Sequence, residues 1–162
     1  MGARATRIVL GGLLLTVVMA AAGYSASGGS QSVSVAAAPG LDITVPGAAA
    51  SIASTVPGSC GSTTSTINVK SNKVWNLQMR SSASYPNGKA MNGATEMASA
   101  FQYKGGDVAS FTSITSTYAN LYGSSQPKTA TLDVVVSYQQ CVSYLDDPGT
   151  YTIVVEYLGV QP

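Results

Sequence analysis

Two stretches decide the fold: Leu132-Asp133-Val134-Val135-Val136-Ser137-Tyr138-Gln139 and Tyr151-Thr152-Ile153-Val154-Val155-Glu156-Tyr157. In the first, Leu132, Val134, Val136 and Tyr138 alternate with Asp133, Val135, Ser137 and Gln139. In the second, Tyr151, Ile153, Val155 and Tyr157 alternate with Thr152, Val154 and Glu156. A repeat of two puts alternate side chains on opposite faces of a pleated strand. β-branched and aromatic residues dominate both runs, as a half-buried sheet surface prefers. The reading is therefore two long strands linked through Asp146-Asp147-Pro148-Gly149. Leu132, Val134, Val136, Ile153 and Val155 are expected to face a core, and Asp133, Thr152 and Glu156 to face outward or sit at an edge.

The same pattern recurs upstream. Ile67 and Val69 share one face of Thr66 to Lys70; Trp75, Leu77 and Met79 share one face of Val74 to Arg80. With Ser71-Asn72-Lys73 between them, these segments predict a β-hairpin. Leu41 to Val45 is a short strand stopped by Pro46-Gly47, and Ser51 to Val56 is another candidate stopped by Pro57-Gly58. Ala100 to Tyr103 and Val108 to Ile114 flank a Gly105-Gly106 turn, and Ala119 to Tyr122 follows. Ser81 to Ala98 reads mostly as loop, with turn dipeptides at Asn87-Gly88 and Asn92-Gly93. Beyond the first residues no stretch repeats every 3.6. The expected fold is all-β: an antiparallel β-sandwich, immunoglobulin-like or jelly-roll-like, of about eight to ten strands. Asp147-Pro148-Gly149-Thr150-Tyr151 fits the D-x-G-x-Y opening of a tyrosine corner, in which a Tyr hydroxyl bonds to nearby backbone. In an immunoglobulin fold one more strand follows that corner strand. Here the sequence stops at Pro162, so a sheet edge or groove near this strand is expected to be unpaired.

The chain opens with Arg4 and Arg7, an apolar run from Ile8 to Ala22, and small residues at the exit. That is the pattern of a cleaved signal peptide over residues 1–22. An uncleaved anchor would need about 20 apolar residues; this run has 15 and contains Gly11 and Gly12. Residues 23–40 read as a flexible small-residue arm. In it Val33, Val35 and Ala37 alternate with Ser32, Ser34 and Ala36, a candidate donor strand bounded by Gly28-Gly29 and Pro39-Gly40. Residues 41–162 read as the β-domain.

Composition narrows the function. Only 9 % of residues are charged, against roughly 25 % in ordinary soluble domains. Removing Arg4 and Arg7 leaves 6 basic against 7 acidic residues. No basic patch is available for nucleic acid or for an anionic membrane, so neither is expected as a partner after signal cleavage. With 22 Ser and 15 Thr, the surface is covered largely by hydroxyls, and weak charge resists self-association poorly. Cys60 and Cys141 are the two cysteines, and an even count in an exported chain predicts one disulfide, with Cα atoms about 4.4–6.8 Å apart. The alternative is two free thiols.

Histidine is absent, which removes the usual general base and the commonest metal ligand. Ser125-Gln126-Pro127-Lys128 fits S-x-x-K, but that chemistry needs a helix to set Lys beside Ser, and Pro127 argues against one. The seven acids have local explanations: Asp146 and Asp147 lie in a turn, Asp133 and Glu156 on outward strand faces. A structural Ca²⁺ at Asp146-Asp147 would still lack most of the six to eight oxygens it takes. No catalytic, cofactor or metal residue is assigned, and an enzyme is not expected. Trp75 is in register with Leu77 and Met79, which makes it core rather than a sugar platform. Tyr85, Tyr118, Tyr122 and Tyr144 are the candidates for exposed rings.

On its leader, its N-terminal arm, the Ile67 to Leu77 segment and the Pro148-Gly149-Thr150-Tyr151 strand opening, the mature chain resembles small exported β-sandwich proteins of prokaryotic surfaces. These are biofilm-fibre proteins of the TasA/camelysin kind and archaeal bundling pilins. The resemblance implies a secreted or cell-surface subunit that polymerises with itself by donating an N-terminal strand. The alternative function is a monomeric module binding glycan or a cell-surface protein.

Overall fold

The computed structural model describes residues 31–162. The signal-peptide reading of residues 1–22 lies outside the described residues. The chain divides into a first unit ending at Ala37 and a compact unit, Ala38–Pro162. Residues 31–37 are exposed and belong to no strand, with Val33 and Val35 80 % and 88 % exposed.

The compact unit is all-β, without a helix among its described residues. Its strands are β1 Leu41–Thr44, β2 Cys60–Ser71, β3 Trp75–Ser81, β4 Met91–Asn92, β5 Thr95–Glu96, β6 Gln102–Gly105, β7 Val108–Ser113, β8 Ala119–Gln126, β9 Thr129–Cys141 and β10 Val155–Val160. A five-stranded sheet runs β1-β2-β9-β6-β7, a three-stranded sheet runs β10-β3-β8, and β4-β5 is a small ladder of its own. Every pairing is antiparallel.

One hydrophobic cluster takes side chains from both larger sheets. Ile67, Val69, Val134, Val136 and Tyr138 come from the first; Trp75, Leu77, Met79 and Leu121 from the second. Ile153 and Val155 pack against it while partly exposed. The alternation read from the sequence therefore places Val134 and Val136 inside and Asp133 and Thr152 outside. Leu132 departs from expectation: it is 36 % exposed. β6 borders β9 only from Ser137 to Gln139, so among the described residues the Leu132 stretch has no strand beside it on that side and its side chain reaches solvent.

The expected hairpin of Thr66 to Lys70 with Val74 to Arg80 does not form. β2 and β3 belong to different sheets. Both have one apolar face, and that pattern is the same whether two strands pair side by side or supply opposite walls of a core. The link decides. Short hairpins close through left-handed residues; Ser71 to Val74 contains none, whereas Gly93 and Gly106, at the β4–β5 and β6–β7 turns, have φ of +60° and +57°. The β2–β3 link is held from its side chains instead. Asn72 Oδ1 accepts from Gly40 N at 2.8 Å, Asn72 Nδ2 donates to Ala38 O at 2.7 Å, and Ser71 Oγ donates to Lys73 O at 2.7 Å.

Ser51 to Val56 is also not a strand. It crosses the start of β2, where a side chain at Gly61 would collide with Thr55 and Ile52. The last expected strand is split: Thr152 makes an isolated bridge to Met91, and regular pairing resumes at Val155.

Candidate functional site

The strand that ends the sequence is the edge of its sheet. β10 pairs with β3 from Val155↔Ser81 to Val160↔Asn76 and, among the described residues, with no strand on its other side. Its inward positions are Val155, Tyr157 and Gly159. A side chain at Gly159 would strike Ile43 and Leu41 of β1, so the bare backbone there lets the two sheets' edges approach. The neighbouring outward positions are Val154, Leu158 and Val160, which are 50 %, 39 % and 37 % exposed. Glu156 interrupts this apolar row and is bonded to Arg80 at 2.8 Å. The Arg80 guanidinium also lies 4.4 Å from the centre of the Tyr118 ring. Its pKa is raised, chiefly by the hydrogen bond to Glu156. The edge thus offers backbone donors and acceptors and an apolar margin, a template that pairs readily with another strand.

Behind this edge the fold is locked. The Tyr138 and Tyr157 hydroxyls bond to each other across the two sheets. Burial raises the pKa of both. Trp75 is fully buried, donates Nε1–H to Pro127 O at 2.9 Å and meets Tyr122 edge-on. Its core assignment holds, and the indole is not a sugar platform.

Cys60 and Cys141 form a disulfide. They are direct cross-strand partners at one end of the β2–β9 ladder, and their Cα atoms are 3.9 Å apart, closer than the range read from sequence. The loop leaving Cys141 carries two features that sequence reading joined only in part. Tyr151 donates its hydroxyl proton to Asp147 O at 3.0 Å, the backbone bond expected of the D-x-G-x-Y segment. Asp146 accepts from Ser143 N and Ala98 N, both at 2.6 Å, so both its oxygens serve the loop. Among the described residues no group of three or more His, Cys, Asp or Glu side chains converges. Tyr144 and Leu145 project from this loop, 84 % and 86 % exposed. The sequence had singled out Tyr144 as a candidate exposed ring; Leu145 carried no signal.

Ser125 lies in β8 and Lys128 between β8 and β9, with no helix to bring them together. Val33, Val35 and Ala37 lie in the strandless segment 31–37. No helix among the described residues is long and apolar enough to cross a membrane. Comparison with protein-family models, with curated proteins and with solved structures returns no match.

Proposed function

We propose that this chain is an exported structural subunit of an extracellular filament, biofilm matrix or surface coat, which assembles with copies of itself by β-strand addition. The observation that carries the reading is the open β10 edge with its exposed Val154, Leu158 and Val160. A strand added there gains main-chain hydrogen bonds, and alternate side chains give it register. The donor is the segment around Val33, Val35 and Ala37, whose two valines are exposed and unpaired. Head-to-tail donation does not close on itself and so grows a filament. The two larger sheets are read as the layers of an immunoglobulin-like or jelly-roll-like sandwich, a reading supported by their common hydrophobic cluster and by the Tyr151–Asp147 bond. The disulfide fits an oxidising compartment outside the cell, and the leader supplies the route there.

The test is to isolate the exported protein and examine it by size-exclusion chromatography and negative-stain microscopy. Filaments or large open oligomers are expected. A stable monomer at high concentration would overturn the proposal and leave the monomeric glycan- or protein-binding module, which the exposed Tyr144 ring favours.

A further inference from the structure

The β2–β9 ladder gives the compact unit two ends. It runs from Cys60↔Cys141 to Ser71↔Thr129, and twelve residues of strand place those ends about 36 Å apart. The ends differ in chemistry. At the disulfide end the Ser143–Asp147 loop thrusts out Tyr144 and Leu145, the two most exposed large apolar side chains of the compact unit. This tip is not loose. Asp146 clamps Ser143 N and Ala98 N, Ser143 Oγ accepts from Leu145 N at 3.1 Å, and Tyr151 holds the Asp147 carbonyl. A loop stiffened to present an aromatic and a leucine to water gains nothing from doing so in a monomer, whereas a stiff tip lowers the ordering cost of docking. Asp147 stands beside it, exposed, and its carboxylate makes no hydrogen bond among the described residues.

At the opposite end is an open cleft of about 720 Å³. Leu41, Ser71 and Ala130 contribute to its lining, and Lys70 and Lys128 line it together with a single acid, Asp42. Asp42 is the register partner of Lys70, but among the described residues neither it nor Lys70 nor Lys128 forms an ion pair, so two lysines face one acid. One end of the unit is therefore an apolar knob with an exposed carboxylate, and the other an open cleft whose two lysines outnumber its one acid.

We propose that the Tyr144-Leu145 tip of one copy docks in the Leu41–Ala130 cleft of the next, with Asp147 facing Lys128. The partner is a second copy of this chain, chosen by the complementarity of charge between the two ends. The contact is heterologous and repeats along the ladder axis. It rests on the self-assembly reading above and gives the polymer a second contact, distinct from strand donation.

Charge exchange on the full-length exported chain tests it. Asp147→Lys makes both ends positive, and Lys128→Glu makes both negative. Both sites are exposed, so folding is expected to survive; an unreactive Cys60–Cys141 pair in thiol labelling checks this. Each variant alone should raise the concentration needed for polymerisation about tenfold, because attraction is replaced by repulsion. An equimolar mixture of the two should restore it, and salt near 0.5 M should shrink the differences. Tyr144→Ser with Leu145→Ser should weaken assembly at every salt concentration. Filaments that form equally well from every variant overturn this contact and leave strand donation standing. Small closed oligomers that depend on both ends support the contact and overturn the filament reading. A wild-type chain that stays monomeric overturns both.

Discussion

Val134 stands in β9 with its side chain turned into the core. A valine at the centre of a period-2 run has only one apolar place to go, and it is 1 % exposed. Val134→Asp should prevent folding, because an isolated carboxylate there has no partner and even a neutral polar group costs about 2–7 kcal/mol to bury. Thr152→Asp, at an exposed position, should change stability by less than about 1 kcal/mol. Denaturant melts of the two variants check the register, and equal tolerance would refute it. Leu132 was misread because periodicity reports the face of a strand and not whether a neighbour covers it. Tyr157 was legible as inward, but its hydroxyl partner was not, since Tyr138 lies in the other sheet. That pair has a pH consequence. Burial, with the Tyr138 hydroxyl beside it, lifts Tyr157 far above its ordinary 10.0. The unfolded chain then ionises near pH 10 while the fold keeps the proton, so the contribution is complete below pH 10 and is lost as pH rises towards the folded value. Urea midpoints should fall between about pH 8 and about pH 11, and fall less steeply in Tyr157→Phe. An identical slope in the variant would remove this pair from the account.

Strands were more legible than their partners. β6–β7 could be paired from sequence because Gly105-Gly106 closes the turn, and Gly106 needs its positive φ with the Leu121 carbonyl 2.3 Å from where a Cβ would stand. β2 and β3 were wrongly paired because amphipathic alternation suits a hairpin and a sheet-to-sheet link equally. Asn72 is the residue that closes this link, through two side-chain bonds to Ala38 and Gly40. Asn72→Ala should cost about 1–2 kcal/mol, read as a shift in the denaturation midpoint at constant slope. A neutral effect would show that the link is held by its flanking strands alone. The disulfide acts at the same scale. It joins β2 to β9 across a separation of 81 residues, and replacing both cysteines by serine should lower stability by about 4 kcal/mol if the effect is mainly unfolded-chain entropy. The cross-strand ladder remains in that variant, so the surviving fold should keep its far-ultraviolet circular dichroism in the cold and melt earlier.

For the whole molecule, sequence conveyed class better than purpose. Composition says little about a surface built for pairing, because which strand ends a sheet is a property of strand order that periodicity does not report. The D-x-G-x-Y segment raised the expectation of an unpaired edge near the last strand, and strand order names it: among the described residues β10 borders β3 alone. The decisive whole-molecule prediction separates the domain from its arm. Removing residues 23–37 spares Ala38, whose carbonyl accepts from Asn72, and leaves the compact unit Ala38–Pro162 entire. Since none of the core residues among the described ones lies in the deleted segment, the product should be exported, folded and as stable as the parent to within about 1 kcal/mol. On the strand-donation proposal it should no longer form filaments at concentrations where the parent does, because the proposed donor segment is gone and only the proposed contact between ends remains. Adding a synthetic peptide spanning residues 31–38 should then fill the β10 edge, and Leu158→Lys should abolish that binding by placing a charge on the apolar margin. Filaments that persist after the deletion would assign assembly to the domain surface and exclude the arm.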